Sequence, residues 1–188
     1  MGHGGTDHRA DLMLKPIHRN MFPLLVQTLG HTEPAVEVGV AEGNYSREFL
    51  KLWPNKFFMV DRWCHIEGYD DIMNGPDAEH EERFRQASEV AGEHADRVTI
   101  LRMDSAEAAS QFADRSLSFV YLDGDHSFDG VCRDIRAWAM KLKPNGILAG
   151  HDYYNKPPFE VRRAVAELCG GPCGITLESS PSWWVIVQ

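Results

Sequence analysis

Val36-Glu37-Val38-Gly39-Val40-Ala41-Glu42-Gly43-Asn44 is the stretch on which the fold reading turns. Apolar residues flank one acid and run into Gly39, and Gly43 follows four residues later. A helical segment, Tyr45 to Trp53, comes next. Glycines in a strand-to-helix turn admit positive φ and let a ligand approach the backbone. The helix N-terminus offers unpaired N–H groups at the same place. The stretch predicts a nucleotide-type site on an α/β sheet.

The segments around it repeat the same alternation. Upstream, Asn20 caps a short expected helix with Pro23 in its first turn and Leu24, Leu25 and Leu29 on its apolar face. Ala35–Val38 is strand one; the following helix turns Phe49, Leu50 and Trp53 inward and stops at Pro54. Lys56–Val60, ending in Asp61, is a continuous apolar run suited to a strand buried on both faces. Residues 62–76 have no period and read as a long loop; Asp77 to about Ala91 reads as a helix, with Phe84, Ala87 and Ala91 on one side. Val98–Arg102 is strand three, followed by a short helix over 106–112.

Leu117–Leu122 is strand four, and helix Phe128–Leu142 places Val131, Ile135, Trp138 and Leu142 at helical spacing. Pro144-Asn145-Gly146 stops that helix, Ile147–Ala149 is strand five, and a helix spans about Phe159–Leu168. Ile175–Glu178 and Trp183–Val187 close the chain as a hairpin across Ser-Ser-Pro-Ser. The expectation is a doubly wound, Rossmann-like α/β sheet of five parallel strands plus a C-terminal antiparallel hairpin. Residues 17–188 form its single domain, behind a flexible N-terminus over 1–16.

Bulk properties bound the function. A chain of 188 residues, 43% hydrophobic and 25% charged, builds one core without staples. No apolar run reaches the ~20 residues of a bilayer span, and no signal-peptide pattern opens the sequence. A formal charge of −9 argues against nucleic-acid partners, which need a basic surface. Cys64, Cys132, Cys169 and Cys173 contain no C-x2-C pair and read as reduced thiols of a cytoplasmic protein. Met1-Gly2-His3-Gly4-Gly5-Thr6 fits the loose N-myristoylation pattern, and equally a tolerant terminus.

Ligands of such sheets bind at the C-terminal ends of the strands. Every parallel strand delivers an acid to that rim: Glu37, Asp61, Asp104, then Asp123 and Asp125 beside His126, and finally Asp152 beside His151. Any of these alone reads as a helix cap or a solvated loop. Together they repel one another unless a cation sits among them. Asp61 lies 22 residues after Gly39, where an acid meets ribose hydroxyls in dinucleotide folds. The turn lacks the G-x-G-x-x-G spacing that seats a pyrophosphate. A ligand with ribose, no phosphate and a positive charge fits better, and a sulfonium nucleoside has all three properties.

Glu37-x-Gly39-x3-Gly43 with Asp61 resembles the first two motifs of class I S-adenosylmethionine-dependent methyltransferases. Phe119-Val-Tyr-Leu-Asp123-Gly-Asp-His126-Ser-Phe-Asp-Gly130-Val, Leu142-Lys-Pro-Asn-Gly146 and Ala149-Gly-His-Asp152-Tyr are similar to the small-molecule branch catalogued as methyltransferase family 24. The resemblance runs from about residue 35 to the end and includes the closing Trp183-Trp184-Val-Ile-Val. It implies S-adenosylmethionine as cofactor, with the Glu37–Gly43 backbone at its methionine part, Asp61 at the ribose, and Asp104 and Ser105 beside the adenine. Glu42, Asn44, Arg62 and Asp123 complete the expected cofactor-binding set.

The expected reaction is methyl transfer to a small-molecule acceptor, most readily a hydroxyl oxygen, by in-line displacement. Alignment supplies ~7–11 kcal/mol of the barrier. His126 is the candidate base, held by Asp123 and Asp125, with His151 a second candidate; histidines in such loops also serve only to cap or position. Catechol O-methyltransferase and its relatives resemble the chain in their acids after strands four and five, which hold Mg²⁺. Asp123 and Asp152 occupy the matching positions and are the candidate metal ligands. His151 departs from that pattern, since imidazole suits a transition metal better. Trp63, His65, Tyr69, Tyr153, Tyr154 and Phe159 are the expected acceptor-pocket residues, drawn from the 62–76 and 153–158 loops beside the N-terminal helix. An NAD-dependent oxidoreductase and a non-catalytic S-adenosylmethionine-binding module are the rival readings; a homo-oligomer is compatible with all of them.

Overall fold

The computed structural model describes residues 15–69, 71–154, 156 and 159–188. The flexible-terminus and myristoylation expectations fall outside these residues, apart from Lys15 and Pro16. A 3-10 turn over Arg19–Met21 leads into α1 (Phe22–Thr28), β1 (Ala35–Val38), α2 (Asn44–Leu50), β2 (Phe57–Asp61) and α3 (Asp77–Gly92). Then come β3 (Val98–Arg102), α4 (Ser105–Ser110), β4 (Leu117–Leu122), α5 (Phe128–Ala139), β5 (Leu142–Gly150), α6 (Val161–Cys169), β6 (Gly174–Ile175) and β7 (Trp183–Ile186).

The seven strands make one sheet in the order β3-β2-β1-β4-β5-β7-β6. β3 through β5 are parallel, β7 runs antiparallel to β5, and β6 antiparallel to β7. The order reverses between β1 and β4, whose register pairs Val38 with Leu122. That places the glycine turn next to the Asp123–Ser127 loop at the switch point, where such sheets bind ligands.

Alternation along the strands divides the core in two. Ala35, Phe57, Met59, Phe119, Tyr121 and Ile147 face α1–α3, while Val36, Val38, Val60, Val120, Leu122 and Leu148 face α4–α6. Phe49 of α2 stacks between Phe57 and Phe119, with ring centroids 5.0 and 5.1 Å away. On the other face, Val131, Ile135 and Trp138 of α5 are buried at the spacing the sequence shows.

The structure corrects several boundaries. Leu24 is 40% exposed, whereas Leu25 is buried as expected and Phe22, Pro23 and Val26 are buried with it. His18, not Asn20, caps the turn before it, accepting the Asn20 N–H. α2 ends at Leu50, although Trp53 stays buried beyond it. The largest difference is at Pro144. α5 stops at Ala139 and β5 already begins at Leu142, paired with Leu117. Asn145 at φ 64 and Gly146 form an irregularity, after which pairing resumes at Phe119 and Ile147. A β-bulge tolerates proline where a regular ladder does not. β6 is only two residues, because Thr176 to Ser182 form the connection.

Candidate active site

The chain leaves β1 through Gly39 (φ +83) and Ala41 (φ 50) and enters α2 through Gly43 (φ +81). Asp61, at the end of the neighbouring strand, fixes this path. Its Oδ2 accepts the backbone N–H groups of Val40 (2.9 Å) and Ala41 (3.0 Å), and its Oδ1 accepts that of Trp63 (2.8 Å). A carboxylate offers about four acceptor positions, so capacity remains for hydroxyl donors from the ligand side. Glu37 is buried behind the turn against the Ser46 hydroxyl. Burial pushes its carboxyl up to about 8, the Ser46 contact notwithstanding.

A cavity of about 800 Å³ opens over the ends of β1 to β5. Of the sequence-predicted residues, Glu37, Gly39, Glu42, Asn44, Asp61, Arg62, Asp104, Ser105, Asp123, His126, His151 and Asp152 line it. Gly43 does not. A Cβ there would stand 3.2 to 3.3 Å from Val90 and Ala87, so it serves the seating of α2 on α3. Asp104 caps α4 by accepting the N–H of Ala106 at 2.9 Å, and its other oxygen pairs with Arg62. The Ser105 hydroxyl accepts the Trp138 indole N–H at 2.9 Å, which turns it toward α5. Glu42 pairs with Arg83 at 3.4 Å.

Among the expected acceptor residues, Trp63, Tyr69 and Phe159 line the cavity. Trp63 is fully buried, packed on Phe84, with its indole donating to the Ala41 carbonyl. His65, Tyr153 and Tyr154 are not in the lining: His65 is tied to Gly75, and the Tyr154 hydroxyl to the Ser179 carbonyl. Pro157 and Pro158 of that loop lie outside the described residues.

Where β4 and β5 end, two imidazoles sit among carboxylates. His126 Nε2 lies 3.3 Å from Asp123 Oδ1 and 3.5 Å from Asp152 Oδ2. His151 Nδ1 lies 3.4 and 3.5 Å from the same two oxygens. Burial pulls both imidazoles down, but the carboxylates outweigh it: Asp123 and Asp71 bring His126 to about 10, and Asp123 and Asp152 bring His151 to about 9. Asp123 is reciprocally held below the usual carboxylate range; burial opposes this, and the two histidines prevail. Asp152 is held at φ 47, a backbone conformation uncommon outside glycine and found at functional sites.

Three cavity residues escape a reading by motif. Arg19 lies over the Tyr45 ring at 5.0 Å and reaches Asp123 Oδ2 at 3.5 Å. Asp71, from the long loop, stands 3.5 Å from His126 Nδ1. Asp134 of α5 is 2% exposed, its Oδ1 without a hydrogen-bond partner. Arg19 and Asp71 lie on segments with no period. Asp134 was legible only as a charge one residue before Ile135 on a helix whose neighbours face inward.

The comparisons with known proteins agree with this geometry. A family model described as a methyltransferase domain matches residues 36–153, which contain the glycine turn and all four strand ends after it. No curated protein matches the chain in sequence. Among solved structures, a methyltransferase from Geobacter sulfurreducens is 14% identical with a TM-score of 0.61, over 96% of this chain and 83% of that one. An S-adenosylmethionine-dependent O-methyltransferase from Thermotoga maritima is 14% identical with a TM-score of 0.59, over 96% and 69%. A cofactor-bound protein from MTB is 12% identical with a TM-score of 0.64, over 94% and 82%. At these identities the structures speak for the fold alone. With the family match covering more than half its length, the chain belongs to the class I S-adenosylmethionine-dependent methyltransferases.

Proposed function

We propose that this methyltransferase transfers a methyl group to a hydroxyl oxygen of a small molecule. The observation that carries the reading is the continuity of one cavity from the glycine turn, past Asp61 and Asp104, to the Asp123–His126–His151–Asp152 cluster. Its two ends have different chemistry. The first offers backbone and carboxylate acceptors suited to a ribose, an adenine and an ammonium group. The second gathers carboxylates and protonated imidazoles into one charged cluster beside the place where an acceptor would lose its proton.

The sulfonium cofactor supplies a methyl group that is already activated, so the protein's task is alignment and removal of the acceptor proton. Asp61 holds the turn and receives the ribose; Asp104 and Ser105 flank the adenine; Glu37 faces the amino end. At the far side, His126 and His151 hold their protons at neutral pH, so either would act as the base only after releasing one, and a divalent metal would be the alternative aid to deprotonation. Asp123 and Asp152 hold the imidazoles and would hold such a metal, which would lower the pKa of a bound hydroxyl. Tyr69, Phe159 and Arg19 border the acceptor. One structurally similar protein is an O-methyltransferase by description, which agrees with an oxygen acceptor. The −9 charge favours a small acceptor over nucleic acid, and four free thiols suit the cytoplasm.

The test is calorimetry with S-adenosylmethionine and its demethylated product, followed by a labelled-methyl screen over hydroxyl and amine acceptors. Product on hydroxyl acceptors supports the reading. Product on amines alone refutes the oxygen assignment, and binding with no product over the whole screen favours a non-catalytic module.

A further inference from the structure

We infer that Asp134, a buried acid on α5 outside every motif of the site, accepts the amino group of the cofactor's adenine and so selects an adenosyl over an inosyl cofactor. The inference rests on the reading that places the base beside Asp104 and Ser105. It adds the residue that tells one purine from another.

Asp104 and Asp134 both flank Ser105 in the cavity wall, but their oxygens are not equally free. Asp104 has both engaged: Oδ1 accepts the Ala106 N–H at 2.9 Å, and Oδ2 pairs with Arg62. Asp125, further along the wall, accepts the Ser127 N–H at 2.9 Å and folds over Gly130. Asp134 is 2% exposed, and its Oδ1 has no hydrogen-bond partner among the described residues. Arg133 Nε, at 3.6 Å, stands beyond hydrogen-bond reach of it. A buried carboxylate oxygen without a donor is costly. Chains break such rules chiefly at functional sites, where a ligand completes the set.

The neighbouring residues hold this carboxylate in place. One helical turn along α5, the Trp138 indole N–H donates to the Ser105 hydroxyl at 2.9 Å. Ser105 keeps its own proton to give: burial raises the Asp134 carboxyl, and Ser105 and then Arg133 hold it down. On the other side, a Cβ on Gly124 would stand 3.9 Å from Asp134 Oδ2. The carboxylate therefore sits between the N-terminus of α4 and the loop after β4, both of which line the cavity.

Side-chain chemistry decides what the free oxygen accepts. An ionised carboxylate has lone pairs and no proton to offer. The amino group of adenine donates, whereas the oxygen that hypoxanthine carries at the same ring position would meet Asp134 lone pair to lone pair. A site built around a polar partner rejects an analogue lacking it far more strongly than an apolar pocket does. An amide in the same place turns either its oxygen or its NH₂ toward the base and loses the distinction.

The experiment measures, by calorimetry at neutral pH, binding of the demethylated cofactor and of its inosine counterpart to the full chain, to Asp134→Asn and to Asp104→Asn. The native chain is expected to bind the adenosyl form at least ~100-fold more tightly. Asp134→Asn should narrow that ratio at least ~10-fold, by losing affinity for the adenosyl form and gaining it for the inosyl form. Asp104→Asn should weaken both forms alike and keep the ratio. A third ligand, with hydrogen in place of the amino group, reads the native chain without relying on any variant to fold; its affinity should fall between the other two. The inference is overturned if the native chain binds the adenosyl and inosyl forms equally, if Asp134→Asn keeps the native ratio, or if Asp104→Asn narrows it as much. Tight adenosyl binding with an unchanged ratio in Asp134→Asn defeats this inference alone, whereas a native chain that binds none of the three ligands defeats the cofactor reading as well.

Discussion

The Cα of Gly39 lies so close to the backbone of Asp123 that a Cβ on it would stand 2.1 Å from the Asp123 carbonyl oxygen. The contact is backbone against backbone, held by the Asp123 N–H on the Val38 carbonyl at 2.7 Å, so no side chain can yield. Gly39 also sits at φ +83, which an L-residue adopts at a cost. Gly39→Ala is expected to lose about 3–5 kcal/mol of stability and to abolish cofactor binding. Denaturant unfolding and calorimetry check this; a variant of native stability would show that the two strand ends separate freely.

That contact shows why the sequence disclosed the fold so fully. Five runs ending in acids, each followed by a helical pattern, have one economical packing, and the sheet adopts it. What stayed hidden depends on pairing between distant segments. Pro144 reads as a helix stop, but its tolerance in β5 comes from a bulge against Leu117 and Phe119 that no local pattern announces. The rim residues were legible because strand ends converge whatever the loop details. Arg19 and Asp71 were not, because they reach the site from segments whose course is set by Tyr45, Glu178 and Tyr69. His65 and Tyr154 illustrate the opposite error: aromatic or polar residues in the right loop whose side chains are tied to backbone carbonyls of residues outside the cavity lining.

Asp61 is read as a ribose ligand, but its three backbone acceptor bonds give it a structural share too. Asp61→Ala strands the N–H groups of Val40, Ala41 and Trp63 and should cost about 2–4 kcal/mol. Asp61→Asn keeps one carbonyl oxygen and should cost less, while still weakening cofactor binding by at least ~10-fold. Paired melting and binding curves separate the two roles. Equal affinity in the Asn variant would leave Asp61 a turn clasp alone.

Glu37 should couple cofactor binding to proton release. Burial, first among its causes, raises the carboxyl to about 8, so it is protonated at pH 7 in the free chain. An ammonium group beside it restores the ionised form. Binding of the demethylated cofactor at pH 7 should therefore release close to one proton, and affinity should rise between about pH 6 and pH 8. Calorimetry in buffers of different ionisation enthalpy measures the release, which Glu37→Gln should eliminate. A buffer-independent enthalpy in the native chain would contradict the assignment.

Asp134 offers a prediction about stability. Burial raises its carboxyl to about 6, against a lowering contact from Ser105. Because the folded value lies above the ordinary one, the folded chain holds more protons than the unfolded chain between about pH 4 and pH 6. Stability from this group accordingly falls as pH rises through that window, and the full cost persists above it. A shift of about two units corresponds to up to ~3 kcal/mol. Asp134→Asn removes the buried charge and should stabilise the free chain by about 1–3 kcal/mol at pH 7.5, with little change at pH 4. Denaturant midpoints at the two pH values decide it. A gain of the same size at both would trace to packing, and a loss at pH 7.5 would mean that the ionised carboxylate has a partner inside the cavity wall.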